Sequence, residues 1–352
     1  MIRIILVSLS ALLLAACPKP VDPPPVDPVI IQSSTEEVTF EADDFTLEGT
    51  LHIPTRSSGD ALPGVILVHG SGPRSRNETS NGQLNLPFGF SLDVFVELAE
   101  ALQAAGYVVL RYDKRSCGSF NGLCENDYPF DPDMLVSDFV SDAVAGARWL
   151  AEHEAVDPEK VFVIGHSQGA ALMPTALAAE PTLAGGVSLA GNWRSIDAIL
   201  RYQLEFSSDL LESLGMTASQ IETQLGSLIQ MVDDLEAVRA GSFEGTTIGG
   251  ASVAFWEDWM DHGDARPGLV AKEARPMLAL FGDYDWNIPA DPELDLWAEA
   301  GVETVLIPCV THAFNCISNP DWQSIQPGEI QDFVDPAVLS ALTDWLNQQT
   351  GS

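Results

Sequence analysis

Gly165-His166-Ser167-Gln168-Gly169 sets a serine between two glycines. The apolar run Val161-Phe162-Val163-Ile164 precedes it, and the Ala-rich stretch Ala170–Glu180 follows. A strand that hands over to a helix through such a turn pushes the serine into a strained, exposed position. The amide of Gln168 then lies at a helix start, where unpaired N–H groups favour negative charge. Those are the requirements of an acyl-transfer nucleophile and its oxyanion. A serine hydroxyl is a weak nucleophile and needs a base, which in turn needs an orienting carboxylate. Further along lie Asp283 and Asp285 in Gly282-Asp283-Tyr284-Asp285-Trp286-Asn287-Ile288-Pro289, and His312 in Pro308-Cys309-Val310-Thr311-His312-Ala313-Phe314. The order serine, acid, histidine suits a doubly covered parallel sheet with its site at the strands' C-terminal ends.

The elements that must position these groups follow from periodicity. Glu37–Pro54 reads as a hairpin turning at Asp43-Asp44. Val65–Val68, Tyr107–Tyr112, Val161–Ile164, Gly186–Ala190, Pro276–Phe281 and Thr304–Pro308 are short apolar runs of the kind buried on both faces of a sheet. Asp157-Pro158-Glu159-Lys160 reads as a turn. Helices are expected at Phe95–Gly106, Asp138–His153, Ala170–Glu180 and Ala337–Gln348. This alternation specifies an α/β fold, a mostly parallel central sheet with helices on both faces. It breaks between Ile196 and Ala274, where helical patterns at 196–214 and 218–240 precede the aromatic patch Phe255-Trp256-Glu257-Asp258-Trp259. The expectation is an inserted helical cap whose aromatic residues line an apolar pocket or belong to the core.

With these motifs in place, the chain resembles an α/β-hydrolase. More narrowly, it is similar to the bacterial esterase, serine aminopeptidase-like and dienelactone hydrolase-like branch. The resemblance rests on His69-Gly70-Ser71-Gly72-Pro73, Arg111-Tyr112-Asp113-Lys114-Arg115, the serine turn and Leu47-Glu48-Gly49-Thr50-Leu51. It covers about residues 37–193 and 275–348 and does not extend to the cap. It implies Ser167 as nucleophile, His312 as general base and Asp285 as the third member. The pattern G-x-x-D-x-x-[VI]-P falls on Gly282, Asp285, Ile288 and Pro289 and leaves Asp283 structural. It also implies an oxyanion hole from the amides of Ser71 and Gln168, with Gly72 the lesser candidate, and no metal or cofactor. His69 is expected to shape its own turn. His52, His153 and His262 are expected to be solvated. Arg111, Asp113 and Arg115 are expected to form a structural polar network, and Arg76 and Asn77 to sit in an exposed loop. The implied activity is cleavage of small-molecule carboxylic esters. A peptidase of the prolyl-oligopeptidase-like type, a thioesterase, or a non-catalytic surface lipoprotein on the same fold are the alternatives.

Composition bears on location and partners. A hydrophobic content of 46% with 19% charged residues is that of a globular chain. Sixteen basic against 51 acidic residues give a formal charge of −35, which excludes a basic nucleic-acid-binding stripe. Met1-Ile2-Arg3, the apolar stretch Ile4–Ala16 and Leu14-Ala15-Ala16-Cys17 resemble a bacterial lipoprotein signal. That signal implies cleavage before Cys17 and its lipidation. Pro18 at the next position permits sorting to the outer membrane in Gram-negative bacteria. The proline-rich stretch that follows is a tether. The expected division is a signal peptide at 1–16, lipidated Cys17 and tether over 17–36, a core over 37–193 and 275–350, and a cap over 194–274. Four further cysteines in an exported chain suggest disulfides. Local pairing, Cys117 with Cys124 and Cys309 with Cys316, is the simplest of three connectivities.

Overall fold

The computed structural model describes residues 29–81, 91–117, 128, 131–319, 321 and 324–351. Eight strands form the central sheet: β1 Ser34–Ala42, β2 Phe45–Ile53, β3 Leu62–Val68, β4 Val108–Tyr112, β5 Val156–His166, β6 Gly185–Leu189, β7 Met277–Gly282 and β8 Glu303–Ile307. Their spatial order is β8-β7-β6-β5-β3-β4-β2-β1. The β1–β2 and β2–β4 pairings are antiparallel and all the others are parallel. The sheet begins at Ser34, inside the stretch assigned to the tether, because Ser34–Glu37 pair in register with Thr50–Ile53. The expected turn at 157–160 is instead part of β5. Val156 pairs with Leu62, and an irregularity between Leu62 and Gly64 absorbs the extra residues before Val161.

Eight helices accompany the sheet among the described residues: α1 Val94–Ala104, α2 Val136–Ala151, α3 Gln168–Ala179, α4 Ile196–Ser213, α5 Ala218–Arg239, α6 Val253–Val270, α7 Ala290–Glu299 and α8 Pro336–Thr350. None is long and apolar enough to cross a membrane. Successive residues of a strand face opposite sides, and the core divides accordingly. Ile66, Val68 and Val163 pack with α2 and α3. Val65, Leu67, Phe162 and Ile164 pack with α1 and α8. Both faces are therefore dry, and the parallel strands need no polar alternation.

Helices α4, α5 and α6 lie between β6 and β7. A two-residue hairpin, Thr247–Ile248 with Ala251–Ser252, precedes α6. The α6 N-terminus is capped by Ser252, whose hydroxyl accepts the Phe255 N–H at 3.1 Å, a contact worth about 1 kcal/mol. Two devices fix α6 to the core. Asp258 accepts both the N–H and the hydroxyl of Ser137, at the start of α2. The fully buried Arg266 guanidinium donates to the carbonyls of Ala171 in α3 and Trp193. A buried guanidinium is costly unless its donors find acceptors, so this contact constrains how α6 sits on the helix that follows Ser167.

Candidate active site

Ser167 follows directly on β5 and precedes α3, with φ 52° and ψ −113°. A non-glycine residue held there costs about 1–3 kcal/mol, a cost sustained only where the surroundings over-determine it. Here they do. The Ser167 N–H donates to Leu189 O at 2.9 Å, and Gly169 N–H donates to His69 O at 2.8 Å. A Cβ at Gly165 would meet the Gly169 carbonyl at 2.2 Å, and one at Gly169 would meet Val68 O at 2.3 Å. Only glycine at both positions lets the turn close this tightly against β3.

Asp285 and His312 come from the loops after β7 and β8. His312 Nδ1 lies 2.7 Å from Asp285 Oδ2. The other carboxylate oxygen accepts the N–H groups of Asn287 and Ile288 at 2.9 and 3.0 Å. Asp285 is therefore clamped by its own turn, with one oxygen left for the imidazole. Asp283 accepts the Cys309 N–H at 2.6 Å and ties the two loops together. Among the described residues no hydrogen bond joins His312 to Ser167. Such bonds are often long before substrate binds.

The loop after β3 carries Ser71. Among the described residues, the N–H groups of Ser71 and Gln168 donate no hydrogen bond, as an oxyanion site requires. Glu78 holds this loop, and sequence reasoning missed it. Its Oε1 accepts the Gly70 N–H at 3.1 Å and lies 3.0 Å from His166 Nδ1. His166 Nε2 in turn lies 2.9 Å from the backbone oxygen of His312. Burial alone would raise the Glu78 carboxyl. The His166 hydrogen bond and the Arg74 charge outweigh it and hold the group at about 2. For His166, burial outweighs the Glu78 hydrogen bond and lowers the pKa. Acceptors face both ring nitrogens, Glu78 Oε1 at Nδ1 and the His312 carbonyl at Nε2.

Residues 65–323 match the Alpha/beta hydrolase family. Esterase EstD from Thermotoga maritima is 30% identical over 318 residues, which span 88% of this chain and 68% of that protein. The chain belongs to the alpha/beta hydrolase family. Among solved structures, Est1E from Butyrivibrio proteoclasticus superposes with a TM-score of 0.50 at 14% identity, over 90% of this chain and 99% of that one. The alpha/beta hydrolase GrgF from Penicillium sp. sh18 does so with a TM-score of 0.53 at 15% identity, over 91% and 100%. At these identities the two structures speak for the fold alone.

In this hydrolase Ser167, Ser71 and Gln168 line a cavity of about 580 Å³. Its far walls come from α2 and the α4–α6 region: Phe139, Ile196, Ile199, Phe255, Trp256 and Trp259. Trp256 and Trp259 stack at 5.5 Å between ring centroids, and the Trp256 N–H is spent on Ile248 O at 2.9 Å. The aromatic patch thus serves as core and pocket wall together.

Cys309 and Cys316 form a disulfide that brackets His312. With Asp335 they are the one grouping of metal-ligand type among the described residues. Their sulfurs are bonded to each other and supply no thiolate. Cys117 is also disulfide-bonded, while Cys124 and Cys17 lie outside the described residues. Three expectations need correction. His52 is buried rather than solvated, because it points inward from β2 and accepts from Arg111 Nε at 2.9 Å. His262 is packed between α2 and α3, against the hydroxyls of Ser137 and Thr175. Arg76 is not free loop chemistry, since its guanidinium is bound to Asp113 at 2.7 Å, while Asn77 Oδ1 accepts from Arg111.

Proposed function

We propose that the protein is an exported, lipid-anchored serine hydrolase that cleaves carboxylic esters carrying an apolar group. The observation that carries this reading is the strained Ser167 lining an apolar cavity, beside an Asp285–His312 pair whose second imidazole nitrogen makes no hydrogen bond among the described residues. Ser167 Oγ attacks the ester carbonyl carbon as His312 Nε2 takes the hydroxyl proton. The oxyanion is received by the amides of Ser71 and Gln168. Collapse breaks the carbonyl–alkoxy bond, and His312 returns the proton to the leaving alcohol. Water, deprotonated by the same nitrogen, then attacks the acyl carbon; the bond from that carbon to Ser167 Oγ breaks, the acid leaves, and His312 returns the proton to Ser167 Oγ. The 30% identity to Esterase EstD supports an ester substrate. Export and anchoring rest on Leu14-Ala15-Ala16-Cys17.

The test is a protein lacking residues 1–18, assayed on aryl esters of increasing acyl length beside Ser167→Ala. Wild type should turn over these esters and be labelled by a fluorophosphonate, and the variant should do neither. Absence of labelling on wild-type Ser167 would refute the catalytic reading. Labelling with peptide amide turnover and no ester turnover would move the substrate to the peptidase class. For the anchor, Cys17→Ser should abolish incorporation of labelled palmitate in a bacterial host.

A further inference from the structure

Lys114 sits two residues after β4, buried, and lines the same cavity as Ser167. Its ammonium donates to Gly70 O at 2.7 Å and to Gln168 Oε1 at 2.7 Å. The Phe139 ring covers it, with 4.1 Å from Nζ to the centroid. Among the described residues no carboxylate lies within ion-pair distance. A buried ammonium that makes no ion pair is expensive, and two neutral carbonyl oxygens offset only part of that cost. Burial lowers its pKa to about 7. Glu78 and Asp142 pull it up, and Arg74 pushes it down.

The two acceptors are informative. Gly70 C=O and Ser71 N–H belong to one peptide unit. Asp291–Pro292 is the one cis bond among the described residues, so this unit is trans. In a planar trans peptide the carbonyl and the N–H point in opposite directions. Gripping the Gly70 oxygen therefore fixes the direction of the Ser71 amide. The same nitrogen grips the side chain of Gln168, the other amide donor. Glu78 holds the Gly70 N–H, and Arg74 Nε donates to Ser71 O at 3.0 Å. A Cβ at Gly70 would come within 3.3 Å of Ser167 Cβ, so this peptide borders the nucleophile. We propose that Lys114 is the positioning residue of the oxyanion hole. It locks the Gly70–Ser71 peptide against flipping and holds the side chain of Gln168, the other donor. This rests on the serine-hydrolase reading above.

The test is Lys114→Met, which keeps the stem against Phe139, assayed on an aryl ester and against an arylboronic acid that forms a tetrahedral adduct on Ser167. The expected result is a fall of about 100-fold in kcat with KM within threefold of wild type, and a parallel loss of boronate affinity. A merely structural lysine would lower the thermal midpoint and leave those two quantities together near wild type. Lys114→Gln, which keeps a shorter N–H donor, serves if the methionine variant does not fold, with at least tenfold loss in kcat expected. A folded variant whose kcat stays within threefold of wild type overturns the proposal. Turnover surviving in Ser167→Ala would instead sink the underlying reading. An inert Ser167→Ala beside an active Lys114→Met sinks the lysine inference alone.

Discussion

Asp285–His312 and Glu78–His166 are the same kind of pair, a carboxylate against an imidazole Nδ1, with ring centroids 4.9 Å apart. Their surroundings separate them. One Asp285 oxygen is spent on two backbone N–H groups and the other faces His312, whose Nε2 makes no hydrogen bond among the described residues. Glu78 directs a single oxygen at both Gly70 and His166, and its Oε2 has no hydrogen-bond partner among the described residues. His166 spends Nε2 on the His312 carbonyl. A carboxylate–imidazole pair is a base only when its second nitrogen is free to take a proton. When that nitrogen is committed to a backbone oxygen, the same pair becomes a brace. In the proposed reaction the first pair serves the chemistry. The second ties the loop after β3, the end of β5 and the loop after β8 to one another, so that the oxyanion side and the base side share an anchor.

The largest expected effect comes from Asp285→Asn. The two backbone N–H groups can still be accepted by the amide oxygen, so the loop should keep its shape. The amide NH₂ would then face His312 Nδ1, which must become an acceptor. The ring's proton moves to Nε2, where it blocks uptake of the Ser167 proton. We expect kcat to fall by about 10⁴-fold with little change in thermal midpoint. Measured kcat within tenfold of wild type would show that the two pairs are not divided as described.

Glu78→Gln should cost much less. With a neutral side chain at 78, the buried His166 ring keeps one proton and leaves one of its two acceptors bare. An unmade bond to a buried group costs about 1–3 kcal/mol. We expect kcat to fall about tenfold at unchanged KM, together with a lower thermal midpoint. The acid limb of stability should also change. The Glu78 carboxyl is depressed in the folded state from 4.5 to about 2. Its stabilising contribution is therefore full above about 4.5 and is lost as the pH falls towards 2. His69, lowered from 6.5 to about 4 chiefly by burial, acts in the same direction, with its contribution lost between about 6.5 and 4. Thermal midpoints measured from pH 7 to pH 2 should decline in two stages in wild type, and the lower stage should shrink in Glu78→Gln without vanishing, because Glu180, Asp197 and Glu273 are also held below the usual carboxyl range by their hydrogen bonds and neighbouring arginines. A loss of activity as large as that of Asp285→Asn would make the two pairs one functional unit.

The contrast between the pairs also explains what could be read from the chain. Asp285 and His312 each follow a strand in a short local pattern, and the element order places both at the same sheet edge. Glu78 lies in a loop with no periodicity, and its partner His166 is 88 residues away. Nothing local marks it, and its neighbours Arg76 and Asn77 look like exposed polar residues until Arg111 of β4 and Asp113 just after it meet them. His52 was unreadable for the same reason. It alternates on β2 with the buried Leu51 and Ile53, yet is itself buried because Arg111 meets it across the sheet. The helix α7 was hidden by Pro289, Pro292 and a run of acids. Its buried Glu293 accepts from the N–H groups of Trp193 and Arg194, a contact between segments a hundred residues apart. The sheet itself was legible because apolar runs between helices allow few other arrangements.

The smallest effect is expected from the Cys309–Cys316 disulfide, although it brackets the base. Closing a loop this short stabilises a protein by roughly 2.5 kcal/mol in the chain-entropy account. The loop, however, is held by much else. Val310 and Cys316 form a β-bridge. Ile317 N–H donates to Cys309 O at 2.9 Å, and Thr311 N–H donates to Asn315 O at 2.9 Å. The Thr311 hydroxyl reaches Asn315 Oδ1 at 2.5 Å, and Phe314 is fully buried beneath the turn. The His312 carbonyl is fixed separately by His166. Because Cys117 is also disulfide-bonded, a reductant would act on more than this bridge, so the informative protein is Cys309→Ala/Cys316→Ala. Its kcat should fall no more than about threefold at 25 °C, and it should fall further as the temperature approaches a lowered midpoint, where the loop frays before the sheet melts. The check is kcat against temperature beside a near-ultraviolet melting curve. Activity and tertiary signal lost together at every temperature would mean that the bridge supports the whole fold rather than the loop that carries His312.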